Sequence, residues 1–321
     1  PALTLQLARI LAGERDAVVH LHSSRAGLIG RVIAVLTGAR SRTLYSPHCF
    51  AFDRTDLDPV RRRALLTLEQ IGTLLGPRLV LVSATEEDLA QQSLPRPRTV
   101  VLANRVPVEA LRRHRTGTDA SRETGRGDVL AIVHVGRIAA QKRPAAFRSI
   151  AEAWDTARDT DSQLAPARFT WIGEGERDLL GPTVEVTGWL DRDALLNRLA
   201  DADLLLFTTA GEGLPVAVLE AQAMGVPVAA HHATGMADVI RDGVTGVLRE
   251  STADLESAVH RLAADPDARR ELGAAAAEHV RAHHDIDGLG ADSVRAYARL
   301  GIHRPGARRH TPYPRHRKGQ R

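Results

Sequence analysis

Cysteine is almost missing from this chain of 321 residues, where Cys49 stands alone. A single thiol excludes an intrachain disulfide framework and fits a reducing, cytoplasmic compartment. Long hydrophobic runs are missing too. No stretch of the roughly 18 residues needed to cross a bilayer is free of charge, so no membrane-spanning helix is expected. Aromatic residues make up 3% of the chain, and lysine occurs only at Lys142 and Lys318. The formal net charge is +4, but residues 303–321 hold Arg304, Arg308, Arg309, Arg315, Arg317, Lys318 and Arg321 and no acid. The rest of the chain is therefore slightly acidic. A body without net positive charge and with few aromatics argues against a nucleic-acid partner. The tail is rich in Pro, Arg and His with little to bury, so it reads as disordered. It is either a solvated end or a weak contact for an anionic membrane surface, at about 1 kcal/mol per basic residue. The chain opens on Pro1, and no signal peptide is visible.

What is present is enough apolar residue, 43%, for substantial cores, in one large or two ordinary domains. Apolar runs of strand length alternate with helical stretches. A helix over Leu3–Ala12 precedes strands at Ala17–His22, Arg42–Ser46, Leu79–Val82 and Thr99–Leu102, with helices at Ala26–Leu36 and Pro59–Leu75. A second series follows, with strands at Val129–Val135, Arg168–Ile172, Asp203–Phe207 and Val226–Ala230. Its helices are Pro144–Ala157, Asp191–Ala200 and Val216–Met224, with two more near Ala253–Ala264 and Asp267–His283. This alternation predicts parallel sheets with crossover helices and a ligand cleft at the carboxyl ends of the strands. The polar stretch 112–128 interrupts the pattern and reads as a linker between a domain at 1–111 and another at 129–285. A helix at 286–302 and the basic tail at 303–321 complete the chain.

The densest motif is Thr209-Ala-Gly-Glu-Gly-Leu-Pro-Val-Ala-Val-Leu-Glu220. It reads as a glycine loop between the strand ending at Phe207 and a helix that Pro215 can open, since the first helical position has no use for an N–H. Such a helix start suits a phosphate. Glu220 lies about 8 Å along the helix at 1.5 Å per residue. That exceeds the roughly 5 Å between the carboxylates of a retaining glycosidase. The spacing fits two carboxylates that hold the ends of one extended ligand.

Glu212-x7-Glu220 within EGLPVAVLEAQAMGVPV resembles the signature of family 4 glycosyltransferases, which have the GT-B fold: two doubly wound, Rossmann-like domains facing a cleft. The resemblance covers roughly residues 17–300. It implies that Glu212 and the adjacent loop residues Gly213, Leu214 and Pro215 contact the donor sugar, and that Glu220 binds ribose hydroxyls. GT-B N-terminal domains usually begin with a strand and glycine-rich loop ahead of the segment seen here, so the first domain reads as incomplete.

Val133-His-Val-Gly136-Arg137 and Lys142 resemble the family's Gly-Arg…Lys element. An Arg fork and a Lys point charge suit a diphosphate. Gly173-Glu-Gly175 either lines the donor site or is a plain strand-end turn. Gly188 and Trp189 match the stretch where family members bind the base, although Trp189 reads equally well as a core aromatic. Ala237 and Asp238 replace the family's Pro and Glu, and no role is assigned to them. On the acceptor side, His22-Ser23-Ser24 and Pro47-His48-Cys49 resemble stretches of bacterial polysaccharide glycosyltransferases. His48 matches a histidine near the transferring sugar, and Cys49 stands where Gly is usual.

The resemblance implies a retaining hexosyltransferase that needs no metal or other cofactor, with His48, Glu212, Arg137 and Lys142 as the catalytic set. The implied partners are a nucleotide diphosphate sugar, UDP-linked by resemblance, and a glycan or lipid-linked acceptor, with peripheral contact at the inner membrane face. The Asp-x-Asp spacings at 56/58, 159/161, 191/193 and 201/203 read as surface acids. A second reading, prompted by the short first domain, is a non-catalytic remnant that binds nucleotide sugar.

Overall fold

Each half of the sequence builds its own parallel sheet. The computed structural model describes residues 2–76, 78–114, 129–161 and 164–302. The first sheet has four strands in the order β1 (Val19–His22), β2 (Thr43–Ser46), β3 (Arg78–Leu81) and β4 (Arg98–Val101). Helix α1 (Ala2–Gly13) precedes it, and α2 (Ser24–Leu36), α3 (Pro59–Leu75) and α4 (Ala84–Ser93) connect its strands. Because the strands follow in chain order, right-handed crossovers put these connecting helices on one face. Leu21, Tyr45, Leu79 and Leu81 point into that layer and meet Ala90 of α4. The alternate residues Leu44, Val80 and Val100 face the other way and are covered by Ala296 and Leu300 of a returning C-terminal helix.

A helical stretch at 108–114, α5, leads out of the first half. It runs three residues into the segment read as linker, because Val108 and Leu111 are buried and draw the turn inward. Residues 115–128 of that segment, and the tail at 303–321, lie outside the described residues. The second sheet has the order β10–β9–β8–β5–β6–β7. Its strands are β5 (Leu130–Val135), β6 (Ala167–Ile172), β7 (Glu185–Val186), β8 (Leu204–Phe207), β9 (Val228–His231) and β10 (Val247–Arg249). The helices are α6 (Pro144–Thr160), α7 (Arg192–Ala200), α8 (Val216–Ala223), α9 (Thr252–Ala264), α10 (Pro266–His283) and α11 (Leu289–Arg299). In β8, Leu204 and Leu206 enter one core and Leu205 and Phe207 the other. A strand covered on both faces carries an unbroken apolar run rather than an alternating one.

Several boundaries differ from the sequence reading. β9 starts at Val228, since Pro227 has no N–H for the ladder; its carbonyl accepts instead from Leu205 N at 2.9 Å. Pro215 is the N-cap of α8, with ψ of 116°, rather than its first helical residue. Helix α4 and strand β10 had no counterpart in the sequence reading. No helix among the described residues is long and apolar enough to cross a membrane.

Candidate functional site

Strand order reverses between β5 and β8. The chain leaves β5 toward β6 and leaves β8 toward β9, so the loops after these neighbours part and open a crevice at their carboxyl ends. The loop after β5 carries Gly136, Arg137 and Lys142, and the loop after β8 carries Thr209–Pro215. They are stitched together by Ala210 N donating to Gln141 O at 2.8 Å and Gln141 Nε2 to Gly211 O at 2.9 Å. Across this seam the Lys142 ammonium pairs with Glu212 Oε1, which also accepts from Thr209 Oγ1 at 2.6 Å. Arg137 is exposed on the same loop.

Glu220 is the fifth residue of α8 and is buried. Its Oε1 lies 2.5 Å from Nη2 of Arg192, the first residue of α7. Burial raises the Glu220 pKa while Arg192 opposes the rise. Glu212 and Glu220 thus each face a cation, on opposite sides of the helix start.

Gly136, Gly173 and Gly188 close β5, β6 and β7. Gly173 and Gly188 form a bridge, and a Cβ on Gly173 would stand 2.1 Å from Gly136 O. With φ at +149°, that position takes only glycine. Trp189 is 83% exposed, which rules out the core reading and leaves the indole beside the strand ends.

The first half meets this crevice at two turns. His22, Ser23 and Ser24 lead from β1 into α2, and His48 and Cys49 follow β2. His22 Nδ1 and His48 Nε2 are 2.8 Å apart. Burial and the neighbouring His22 lower the His48 pKa. A Cβ on Gly213 would lie 2.8 Å from the His48 carbonyl carbon, so the loop after β8 rests directly on this turn. His48, Cys49 and Ser23 have φ of +59°, +120° and +75°. His48, Gly213, Glu212 and Lys142 are therefore assembled at one place. Glu220 is engaged at the far end of the helix start.

Residues that sequence reasoning missed hold these parts in register. Glu86 is fully buried and accepts from Val82 N at 2.9 Å and Cys49 N at 2.8 Å. Burial pushes its pKa up to about 7, against the pull of both N–H groups. The spacing Ser83-x-x-Glu86 was a visible capping signal, and Ser83 Oγ does accept from Glu86 N. Asp238 accepts from Ala84 N at 2.7 Å and Thr85 Oγ1 at 2.5 Å, so it caps α4 from the other half of the molecule. Asn104 Nδ2 donates to Leu214 O at 2.7 Å. His134 is buried between Trp171 and Phe207, and burial lowers its pKa to about 3. His20 joins Ser46 and Tyr297 of α11 beneath His22.

The Asp-x-Asp residues with described contacts have structural partners. Asp56 binds Arg54, Asp58 and Asp191 cap α3 and α7, and Asp203 accepts from Ala131 N. Among the described residues no group of three His, Cys, Asp or Glu side chains is arranged to hold a metal ion.

Residues 130–265, which contain the crevice, match the family model described as "Glycosyl transferases group 1". The chain is 25% identical over 255 residues to an uncharacterized 41.2 kDa protein in the cps region of Klebsiella pneumoniae, covering 77% of this chain and 69% of that one. It is 26% identical over 274 residues to the Escherichia coli UDP-Gal:alpha-D-GlcNAc-diphosphoundecaprenol alpha-1,3-galactosyltransferase, covering 80% and 68%. Among solved structures, sucrose-phosphate synthase from Thermosynechococcus elongatus superposes with a TM-score of 0.74 at 18% identity, over 88% of this chain and 73% of that one. Anabaena HepE in complex with UDP and glucose gives 0.71 at 15% identity, over 91% and 81%. At these identities the solved structures share the fold.

Proposed function

We propose that this chain, which has the GT-B fold, is a glycosyltransferase that moves a hexosyl unit from a UDP-sugar to a glycan or lipid-linked acceptor with retention of configuration. The observation that carries the reading is the Lys142–Glu212 pair at the strand-order reversal, with Glu220 one turn into the helix that follows. A nucleotide diphosphate sugar laid along this crevice meets a carboxylate for the sugar hydroxyls, cations for the diphosphate and a second carboxylate for the ribose. HepE, with the same fold, is described in complex with UDP-glucose, and the Escherichia coli relative is named for a UDP-Gal donor and a diphosphoundecaprenol acceptor. A lipid-linked acceptor would put the work at a membrane face.

In this mechanism Lys142 and Arg137 stabilise the charge that grows on the departing diphosphate. They take the place a divalent ion holds in other transferases, so the reaction is metal-independent. Thr209 keeps Glu212 oriented when Lys142 turns to the phosphate. The acceptor hydroxyl attacks from the face the diphosphate leaves, with His48 and His22 positioning it. Contact between the donor loop and the His48 turn excludes water from the transferring sugar.

Titration calorimetry with UDP, GDP and ADP tests the reading. UDP is expected to bind in the micromolar range, with at least a tenfold loss in Glu220→Ala at unchanged melting temperature. Absence of nucleotide binding by the folded wild-type chain would overturn it.

A further inference from the structure

The enclosed histidines of this chain are satisfied to different degrees. His20 and His231 have a partner at each ring nitrogen: Tyr297 and Ser46 for the first, Arg143 and Thr252 for the second. His134 is wholly buried and has a partner at only one. The β5–β8 ladder pairs Ile132 with Leu204 and Val133 with Leu205, and stops there. At the next position the strands part, and His134 Nδ1 reaches Leu206 O at 3.0 Å. A carbonyl only accepts, so Nδ1 carries the hydrogen. Burial keeps the ring neutral, which leaves Nε2 as a bare lone pair. Among the described residues nothing donates to it. Packing does not account for this. The ring lies between Trp171 and Phe207, with centroids 3.8 and 5.0 Å away. Phenylalanine would fill that slot without enclosing an unpaired acceptor, which costs free energy. A bare nitrogen there points to a donor that arrives in another state.

The surroundings of Nε2 identify that donor. The point where a Cβ on Gly136 would stand is 3.6 Å from Nε2 and 3.5 Å from Lys142 Cε, so the lone pair and the lysine stem border the same spot. Lys142 Nζ stands 5.3 Å from the centre of the Phe207 ring, which lies parallel to the imidazole. Trp171 Nε1 donates to Gly136 O at 2.7 Å and holds the floor of this spot in place. An ammonium has three hydrogens to give. One of them goes to Glu212 Oε1 in this structure. Glu212 is an anion and competes with a phosphate for the cation, whereas a neutral imidazole fixes the ammonium without neutralising it.

We propose that His134 is a positioning residue for Lys142: when a diphosphate draws the ammonium off Glu212, it gives one N–H to His134 Nε2 and keeps the others for the phosphate oxygens. This rests on the UDP-sugar reading given above. A double-mutant cycle read by UDP titration calorimetry tests it. His134→Phe keeps the ring stack and should weaken UDP binding about fivefold, as the loss of one hydrogen bond does, at an unchanged or higher thermal midpoint. Lys142→Met should weaken it at least as much, and adding His134→Phe to Lys142→Met should change binding less than twofold. A second measurement needs no substitution. In the wild-type chain, isotope-labelled at its histidine nitrogens, UDP should move the Nε2 resonance of His134 from the bare toward the hydrogen-bonded position. Three results would each overturn the proposal and leave the UDP-sugar reading standing: UDP binding by folded His134→Phe within twofold of wild type, a loss that simply adds to that of Lys142→Met, or an Nε2 resonance that bound UDP does not move. A folded wild-type chain that binds no UDP would overturn both.

Discussion

The two halves solve the same geometric problem with different residues. Both end strands in tight turns at the crevice. On the donor side the left-handed positions at the strand ends are glycines: Gly136, Gly173, Gly175 and Gly188 have φ between +72° and +154°, with Arg143, at φ +47° beyond Lys142, as an exception. On the acceptor side Ser23, His48 and Cys49 occupy that region with side chains attached. Glycine adopts such angles freely, whereas other residues are held there by their surroundings at about 1–3 kcal/mol each. The donor turns are thus shaped by composition. The acceptor turn is shaped by an external clamp, the Glu86 carboxylate on Cys49 N.

Substitutions can break this contrast. The largest effect is expected from Gly173→Ala, where the new methyl would stand 2.1 Å from a carbonyl oxygen in a backbone that alanine avoids. Loss of cooperative unfolding in a thermal scan is expected; a midpoint within a few degrees of wild type would refute the account. Next comes Glu86→Ala, which strands the buried Val82 N–H and the half-buried Cys49 N–H. It should destabilise the chain by about 2–6 kcal/mol, at about 1–3 per unsatisfied donor, measured by urea unfolding. UDP affinity should fall less than transfer rate, because the clamp acts on the acceptor turn. The smallest effect sharpens the comparison from the other side. Cys49→Gly should stabilise the chain by about 1 kcal/mol by releasing the φ of +120°, seen as a rise of a few degrees in the midpoint. A fall would mean that the thiol packing outweighs the backbone.

What could be read from the sequence followed the same division. The β8–loop–α8 unit was legible because Gly211, Gly213 and Pro215 punctuate it and the strand before it is wholly apolar. Lys142 stood out through its rarity. The acceptor side was legible only as a resemblance around His22 and His48. Its supports were out of reach, since Asp238 acts on Ala84 and Thr85 some 150 positions away, and Glu86 acts on Cys49. Side-chain to backbone bonds of that kind leave no local spacing to find. Helix α4 escaped because its exposed face is short and polar, although its capping pair was in plain view. Trp189 was ambiguous because an aromatic after a strand suits a core or a surface equally, and only the packing decides.

The cap that Asp238 places on α4 joins the two halves, and it bears on turnover. Where the backbone crosses between halves, Val106 N bonds His284 O and Ile286 N bonds Val106 O, so the outgoing and returning chains run side by side as a pivot. Asp238 grips Ala84 and Thr85 at a distance from that pivot, as a latch does from a hinge. On the proposed function, any swing of the halves apart to release a spent nucleotide would strip the carboxylate of these donors and lift Gly213 off His48. On that same function, turnover would then depend in part on how readily this latch lets go, a step in which no sugar bond changes.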